Sequence, residues 1–284
     1  MSIMADAGDD HVTLTDGRSL AFAEWGERAG QAVMFCHGGQ MSRLVAPAWD
    51  VAETVGIRVV SADRPGIGRS DFYEPRSVLD WAGDVAELMS HLKVERFSVV
   101  GVSAGTPYAL ACGLVLSEQV DQVGVIAGIV PPELNERDDL VALVAADPDG
   151  ARRVIDEHVQ QVAADIPASI KALGDRPGPD GPFYRQPSVQ AALTEARREA
   201  YRGGSRGVAQ DILLINSPWG FNLADLEVPC LWWQGEADPI TPMRLVEQAS
   251  ASMASCTMEV IPGVGHGVSM THAKPFLETL VGRT

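Results

Sequence analysis

Apolar residues recur along this chain in two rhythms. Around Asp16 and Gly17, residues 11–14 and 19–25 alternate apolar and polar positions, which predicts a β-hairpin. A continuous apolar run at 33–36 and short, largely apolar runs at 58–62, 97–102, 123–130, 230–234 and 256–261 predict strands of a sheet covered on both faces. Between them lie helix-length stretches at 49–55, 78–92, 104–116 and 243–252, and a terminal helix from Lys274. In the second of these, Val78, Trp81, Val85, Leu88, Met89 and Leu92 keep the spacing of about 3.6 that puts one apolar face on a helix. Strands alternating with helices predict an α/β fold, with a mostly parallel central sheet of about eight strands flanked by helices.

The rhythm breaks at Pro131-Pro132 and resumes at Val228-Pro229. The intervening chain carries helical spacing at 133–146, 150–164 and 188–214, with a Pro/Gly-rich breaker at 176–187. This predicts a core of residues 1–130 and 218–284 interrupted by a helical insertion at 131–217. Leu140, Leu143, Val144, Val154, Ile155, Leu193, Leu213 and Leu214 are read mainly as packing positions of that insertion. Arg197, Arg198, Arg202 and Arg206, mixed with Glu195 and Glu199, read as a solvated helix face.

Composition narrows the partners. The chain has 284 residues, of which 46% are hydrophobic and 21% charged, which suits one large packed core. Lys and Arg number 22 against 38 Asp and Glu, a net charge of −16 that repels phosphate backbones and anionic lipid surfaces. The partner expected is therefore a small-molecule substrate, not nucleic acid or membrane, with the protein a monomer or homodimer. Residues 97–117 carry no charge, but Gly101, Gly105, Pro107 and Gly113 fit a buried strand turning into a buried helix better than a membrane span. Cys36, Cys112, Cys230 and Cys256 are widely spaced, which disfavours disulfides and zinc. Residues 1–10 are acidic and lack an apolar leader, so a cytoplasmic location is expected.

The chemistry is concentrated in a few words of sequence. Gly101-Val102-Ser103-Ala104-Gly105 is a G-x-S-x-G placed where a strand ends and a helix begins. Glycines two before and two after Ser103 allow a turn tight enough to expose its hydroxyl, while the helix N-terminus favours developing negative charge. A serine hydroxyl is nearly un-ionised at neutral pH and needs a base, and the base an orienting acid. His266, in the glycine-rich loop 263–267, is the leading base, with His272 behind it; His11, His91 and His158 have no matching partner motif. Asp238, in Gly235-Glu236-Ala237-Asp238-Pro239, is the leading acid and Glu236 its competitor. No HExxH is present, none of Lys93, Lys171 and Lys274 follows a glycine, and Gly66-Ile67-Gly68 lacks a third glycine. No metal or cofactor is therefore expected.

With these words in order, the chain resembles the capped α/β-hydrolases of Ser-His-Asp type. His37-Gly38-Gly39 follows the third strand, residues 63–70 the fourth, Ser103 the fifth, Asp238 the seventh and His266 the eighth. The resemblance implies Ser103 as nucleophile, His266 as base and Asp238 as its orienting acid, with the backbone N–H groups of Gly39 and Ala104 as oxyanion hole. It makes His37 structural and Asp63 and Arg64 part of a bracing turn. Gln40 departs from the proline of relatives that read HGGP, which counts against an aminopeptidase. Gln40, Trp219 and Phe221, the last two at the return from cap to core, are substrate-pocket candidates. The expected activity is hydrolysis of a carboxylic ester or lactone of a small, mainly apolar substrate through an acyl-enzyme. Alternatives are hydrolysis of a carbon–carbon bond in a diketone ring-cleavage product, or a small-molecule receptor that retains the triad.

Overall fold

The computed structural model describes residues 10–45, 49–135, 138–176 and 178–283, except the side chains of residues 49 and 50. The leader reading therefore falls, apart from Asp10, outside the described residues. Strands β1 (Asp10–Thr13) and β2 (Ser19–Gly26) form the expected hairpin around a left-handed Gly17. There follow β3 (Gln31–Cys36), α1 (Trp49–Val55), β4 (Ile57–Ala62), α2 (Asp80–His91), β5 (Phe97–Val102), α3 (Thr106–Val115) and β6 (Val120–Ile126). The helical insertion comprises α4 (Asp139–Ala146), α5 (Pro148–Ala164), α6 (Ile166–Lys171), α7 (Gly181–Tyr184), α8 (Pro187–Ala200) and α9 (Arg206–Ile215). The chain then completes the sheet with β7 (Cys230–Gly235), α10 (Met243–Ala251), β8 (Cys256–Ile261), α11 (Val268–Thr271) and α12 (Ala273–Leu280).

The eight strands run in the order β1-β2-β4-β3-β5-β6-β7-β8, antiparallel through β1 and β2 and parallel from β4 onward. Alternation along the inner strands feeds two apolar layers. On β7, Cys230 and Trp232 join the layer under α2, α3 and α10, whereas Leu231 and Trp233 join the layer under α1, α11 and α12. Burial on both faces explains why these strands read as largely apolar runs. The strand order reverses between β3 and β5, where register pairs Cys36 with Gly101. In open α/β sheets the crevice at the carboxyl ends of such a pair is where ligands bind.

Two sequence expectations shift. The run at 123–130 is a strand only to Ile126, because Ala127 adopts a φ of 52° and the Gly128 amide turns to Gln234 Oε1 at 3.0 Å. Ala127 and Val130 are buried without lying in the ladder, and the half-buried Ile129 lines the cavity over the strand ends. The stretch at 188–214 is two helices, broken at Gly204 with a φ of 97°.

The insertion is fastened to the sheet by buried ion pairs. Arg64, just after β4, gives Nε and Nη2 to the two oxygens of Asp211 on α9, at 2.9 and 2.8 Å. Asp211 also accepts from Tyr108 of α3 at 2.7 Å and from Arg76 at 3.4 Å. Burial works against its charge, yet the Arg64 guanidinium overcomes this and holds the carboxyl below its usual range. Beside it, Arg43 bridges Asp63 and Glu199 of α8. Glu199 is thus buried in an ion pair and not on a solvated face. Each donor or acceptor removed from such a cluster strands a charge in low dielectric.

Candidate active site

Ser103 sits at the carboxyl end of β5 with a φ of 52°, a left-handed conformation that costs energy for a residue with a side chain. The flanking glycines make that conformation reachable. A Cβ on Gly105 would lie 2.1 Å from the Cys36 carbonyl oxygen, and one on Gly101 2.7 Å from the carbonyl oxygen of Gly105. Strand and helix therefore approach as closely as the sequence pattern implied, and the serine hydroxyl projects from the turn.

Two neighbouring strand ends supply its partners. His266, in the loop after β8, places Nε2 at 2.9 Å from Ser103 Oγ and Nδ1 at 2.8 Å from Asp238 Oδ2. Asp238, in the loop after β7, is buried, and its Oδ1 accepts from the Ile240 amide at 2.8 Å. A carboxylate on Nδ1 fixes the tautomer that leaves Nε2 free to take the serine proton. On the other side of Ser103, a Cβ on Gly39 would lie 3.3 Å from that of Ala104. Neither of these two amides is claimed by a turn or ladder partner among the described residues. The amides, the hydroxyl and the imidazole all border one cavity.

His37 stands behind this turn, fully buried. Its Nδ1 donates to the Gly38 carbonyl at 3.0 Å, and burial together with the Arg64 charge pushes its pKa down to about 3. It is a neutral strut. Arg64 reaches the same turn through Nη1, which donates to the His37 carbonyl at 2.8 Å.

Two positioning residues escape sequence reasoning. Gln234, the penultimate residue of β7, donates Nε2 to Asp238 Oδ2 at 2.7 Å, while its Oε1 accepts from Gly128 and Trp232. Asp180, in the breaker before α7, accepts the amides of Gly265 and Gly267 at 3.1 and 2.9 Å, so the insertion grips both flanks of His266. For Gln234 the only signal is a polar residue in a buried strand; for Asp180 no sequence signal exists.

The cavity measures about 670 Å³ and lies between the strand ends and the insertion. Leu140, Leu143, Val154, Ile155 and Leu193 line it, so five of the positions that helical spacing assigns mainly to packing face a hollow. Gln40 lines it, with its Oε1 accepting from the Tyr201 hydroxyl at 2.7 Å and its Nε2 3.3 Å from His158 Nε2. Trp219 and Phe221 do not line it. Trp219 is 2% exposed in the core layer and donates its indole N–H to the Ile215 carbonyl at 3.1 Å, and Phe221 packs beside it at 5.9 Å. The left-handed turn at Gly220 folds both rings back beneath the end of α9. Arg197 is a further departure: it is 6% exposed and lines the cavity, while Arg198 remains in solvent.

Among the described residues no cluster of three or more His, Cys, Asp or Glu side chains could hold a metal, and no helix is long and apolar enough to cross a membrane. All four cysteines are free thiols.

The chain is 25% identical over 291 residues to a bifunctional esterase/perhydrolase of Acinetobacter calcoaceticus, covering 95% of this chain and 98% of that one. It is 29% identical over 276 residues to a non-heme chloroperoxidase of Streptomyces lividans, covering 92% and 94%. Among solved structures, the enol-lactonase of Burkholderia xenovorans LB400 superposes with a TM-score of 0.71 at 18% identity, covering 96% of this chain and 99% of that one. The sequence model of the alpha/beta hydrolase family matches residues 33–279. With the sheet order, the elbow at Ser103 and this match in agreement, the chain belongs to the alpha/beta hydrolase family.

Proposed function

We propose that the protein is a serine hydrolase that cleaves a carboxylic ester or lactone through an acyl-enzyme on Ser103. The observation that carries this reading is the continuous hydrogen-bonded series Ser103–His266–Asp238, opening beside two unclaimed amides into a largely apolar cavity.

His266 Nε2 takes the hydroxyl proton as Ser103 Oγ attacks the carbonyl carbon, and the carbonyl oxygen becomes an oxyanion held by the amides of Gly39 and Ala104. Asp238 stabilises the imidazolium without taking its proton. Collapse expels the alkoxide, which receives the proton from His266; a lactone's alkoxide stays tethered to the acyl group. Water, deprotonated by the same imidazole, then attacks the acyl-enzyme and releases the acid. Gln234 and Asp180 act through other groups, the first holding the Asp238 carboxylate and the second the His266 loop.

The test is a series of p-nitrophenyl esters of increasing acyl length, offered to the wild type and to Ser103→Ala. The expected result is a burst of p-nitrophenol stoichiometric with enzyme in the wild type alone and a distinct optimum of chain length. Equal turnover by the two proteins would remove Ser103 from the chemistry.

A further inference from the structure

The cavity of a chain with a net charge of −16 carries more cation than carboxylate. Among the described residues Arg176 and Arg197 line it against one acid, Asp139, which is exposed on the first turn of α4. Of the two arginines, Arg176 is exposed and Arg197 buried.

The arrangement around Arg197 is unusual for a buried guanidinium. Nη1 donates to Ser169 Oγ at 2.9 Å. Nε is buried with no partner, and no ion pair reaches the side chain among the described residues. Burial, together with the nearby Arg176 charge, lowers its pKa to about 10. Arg64 shows what the same group does when satisfied: its Nε and Nη2 take both oxygens of Asp211 side by side. In Arg197 the corresponding Nε–Nη2 edge has no carboxylate. A buried charge without a counter-charge is costly, and a guanidinium N–H gives a carboxylate a charge-assisted hydrogen bond.

We infer that the substrate of the proposed hydrolase bears a carboxylate, which the Arg197 guanidinium receives through its unpaired Nη2 while the apolar remainder of the substrate fills the cavity. Arg197 is then a specificity-determining residue. Arg176 adds favourable potential to the same lining, and Leu193, one turn before Arg197 on α8, contacts the apolar portion. The inference rests on the hydrolase reading only for the reacting bond; the carboxylate site stands on its own geometry.

The test compares 4-nitrophenyl half-esters of glutaric, adipic and suberic acids with the neutral esters of pentanoic, hexanoic and octanoic acids. At the best chain length, the wild type is expected to favour the half-ester by about tenfold or more in kcat/KM, and Arg197→Met to bring that ratio close to one, mainly through KM. Arg197→Lys is expected to retain part of the preference. A wild-type ratio of one or less at every length overturns the inference, as does an Arg197→Met variant that loses both substrates in equal proportion. If Arg197→Met fails to fold, competition in the wild type decides: inhibition by adipate but not by hexanamide supports the site, and inhibition by neither overturns it. If no ester is turned over, calorimetric titration of adipate into wild type and Arg197→Lys separates the two readings. Adipate binding weakened by the substitution keeps the carboxylate site while the hydrolase reading falls, and absence of binding ends the inference.

Discussion

Two buried arginines meet the helical insertion in opposite ways. At its seam with the sheet, Arg64 is fully enclosed and doubly bonded to Asp211, with Tyr108 and Arg76 completing the cluster. On the cavity wall, Arg197 is almost as deeply enclosed but leans on one serine hydroxyl. Burial opposes the charge of both. At Arg64 the Asp211 carboxylate reverses the effect and the pKa rises, whereas at Arg197 nothing reverses it and the pKa falls. The seam is electrostatically closed and fixes geometry; the wall is open and awaits a partner.

The sharpest way to break this contrast is to strand the seam. Asp211→Ala leaves Arg64 and Arg76 without their shared carboxylate, and the expected cost is about 3–5 kcal/mol of unfolding free energy in urea titration. A loss below about 1 kcal/mol would mean that the cluster fixes position without contributing stability. Replacing both Arg64 and Asp211 by apolar residues is expected to recover part of the loss, because no charge is then left alone.

Acidification probes the same seam through His37. Its folded pKa of about 3 lies below the unfolded value near 6.5, so the unfolded chain binds more protons between those limits. The contribution is present in full above pH 6.5 and is lost as pH falls through the window toward 3. At pH 5 the loss from this residue is about 2 kcal/mol relative to neutrality. Chemical denaturation at pH 7 and pH 5 measures it, and His37→Gln is expected to flatten the difference.

Asp180→Ala separates positioning from stability. With the amides of Gly265 and Gly267 released, kcat is expected to fall about tenfold with KM little changed, as the His266 loop loosens. A fall in stability without a change in kcat would show that the contact only anchors the insertion. The smallest expected effect is on the wall: Arg197→Met strands no carboxylate, so its unfolding free energy should stay within about 1 kcal/mol of wild type or rise. A loss as large as that of Asp211→Ala would erase the distinction between the two arginines.

The sheet, its order of motifs and the residues at Ser103, Asp238 and His266 could be read from the sequence because each stands at the end of an apolar run with its own turn chemistry. A strand end fixes where its next residue goes, so three distant words meet at one sheet edge. The wall of the cavity follows no such rule. Leu193 and Ile155 carry the same helical spacing whether they face a packed core or a hollow, and Arg197 shares its charge-rich helix with the exposed Arg198. Which side of α8 turns inward depends on packing against α6 and on the Arg43–Glu199 pair, neither of which leaves a local mark. The position of Trp219 and Phe221 at the return from cap to core points to the pocket, but one left-handed glycine between them directs both rings into the core.

The central claim is an acyl-enzyme on Ser103, and rapid quenching of a p-nitrophenyl ester reaction followed by peptide mass spectrometry tests it most directly. The account predicts one acyl adduct, on the peptide carrying Ser103, formed at the rate of the p-nitrophenol burst and absent from Ser103→Ala. Turnover with no adduct, or an adduct on any other residue, would contradict it.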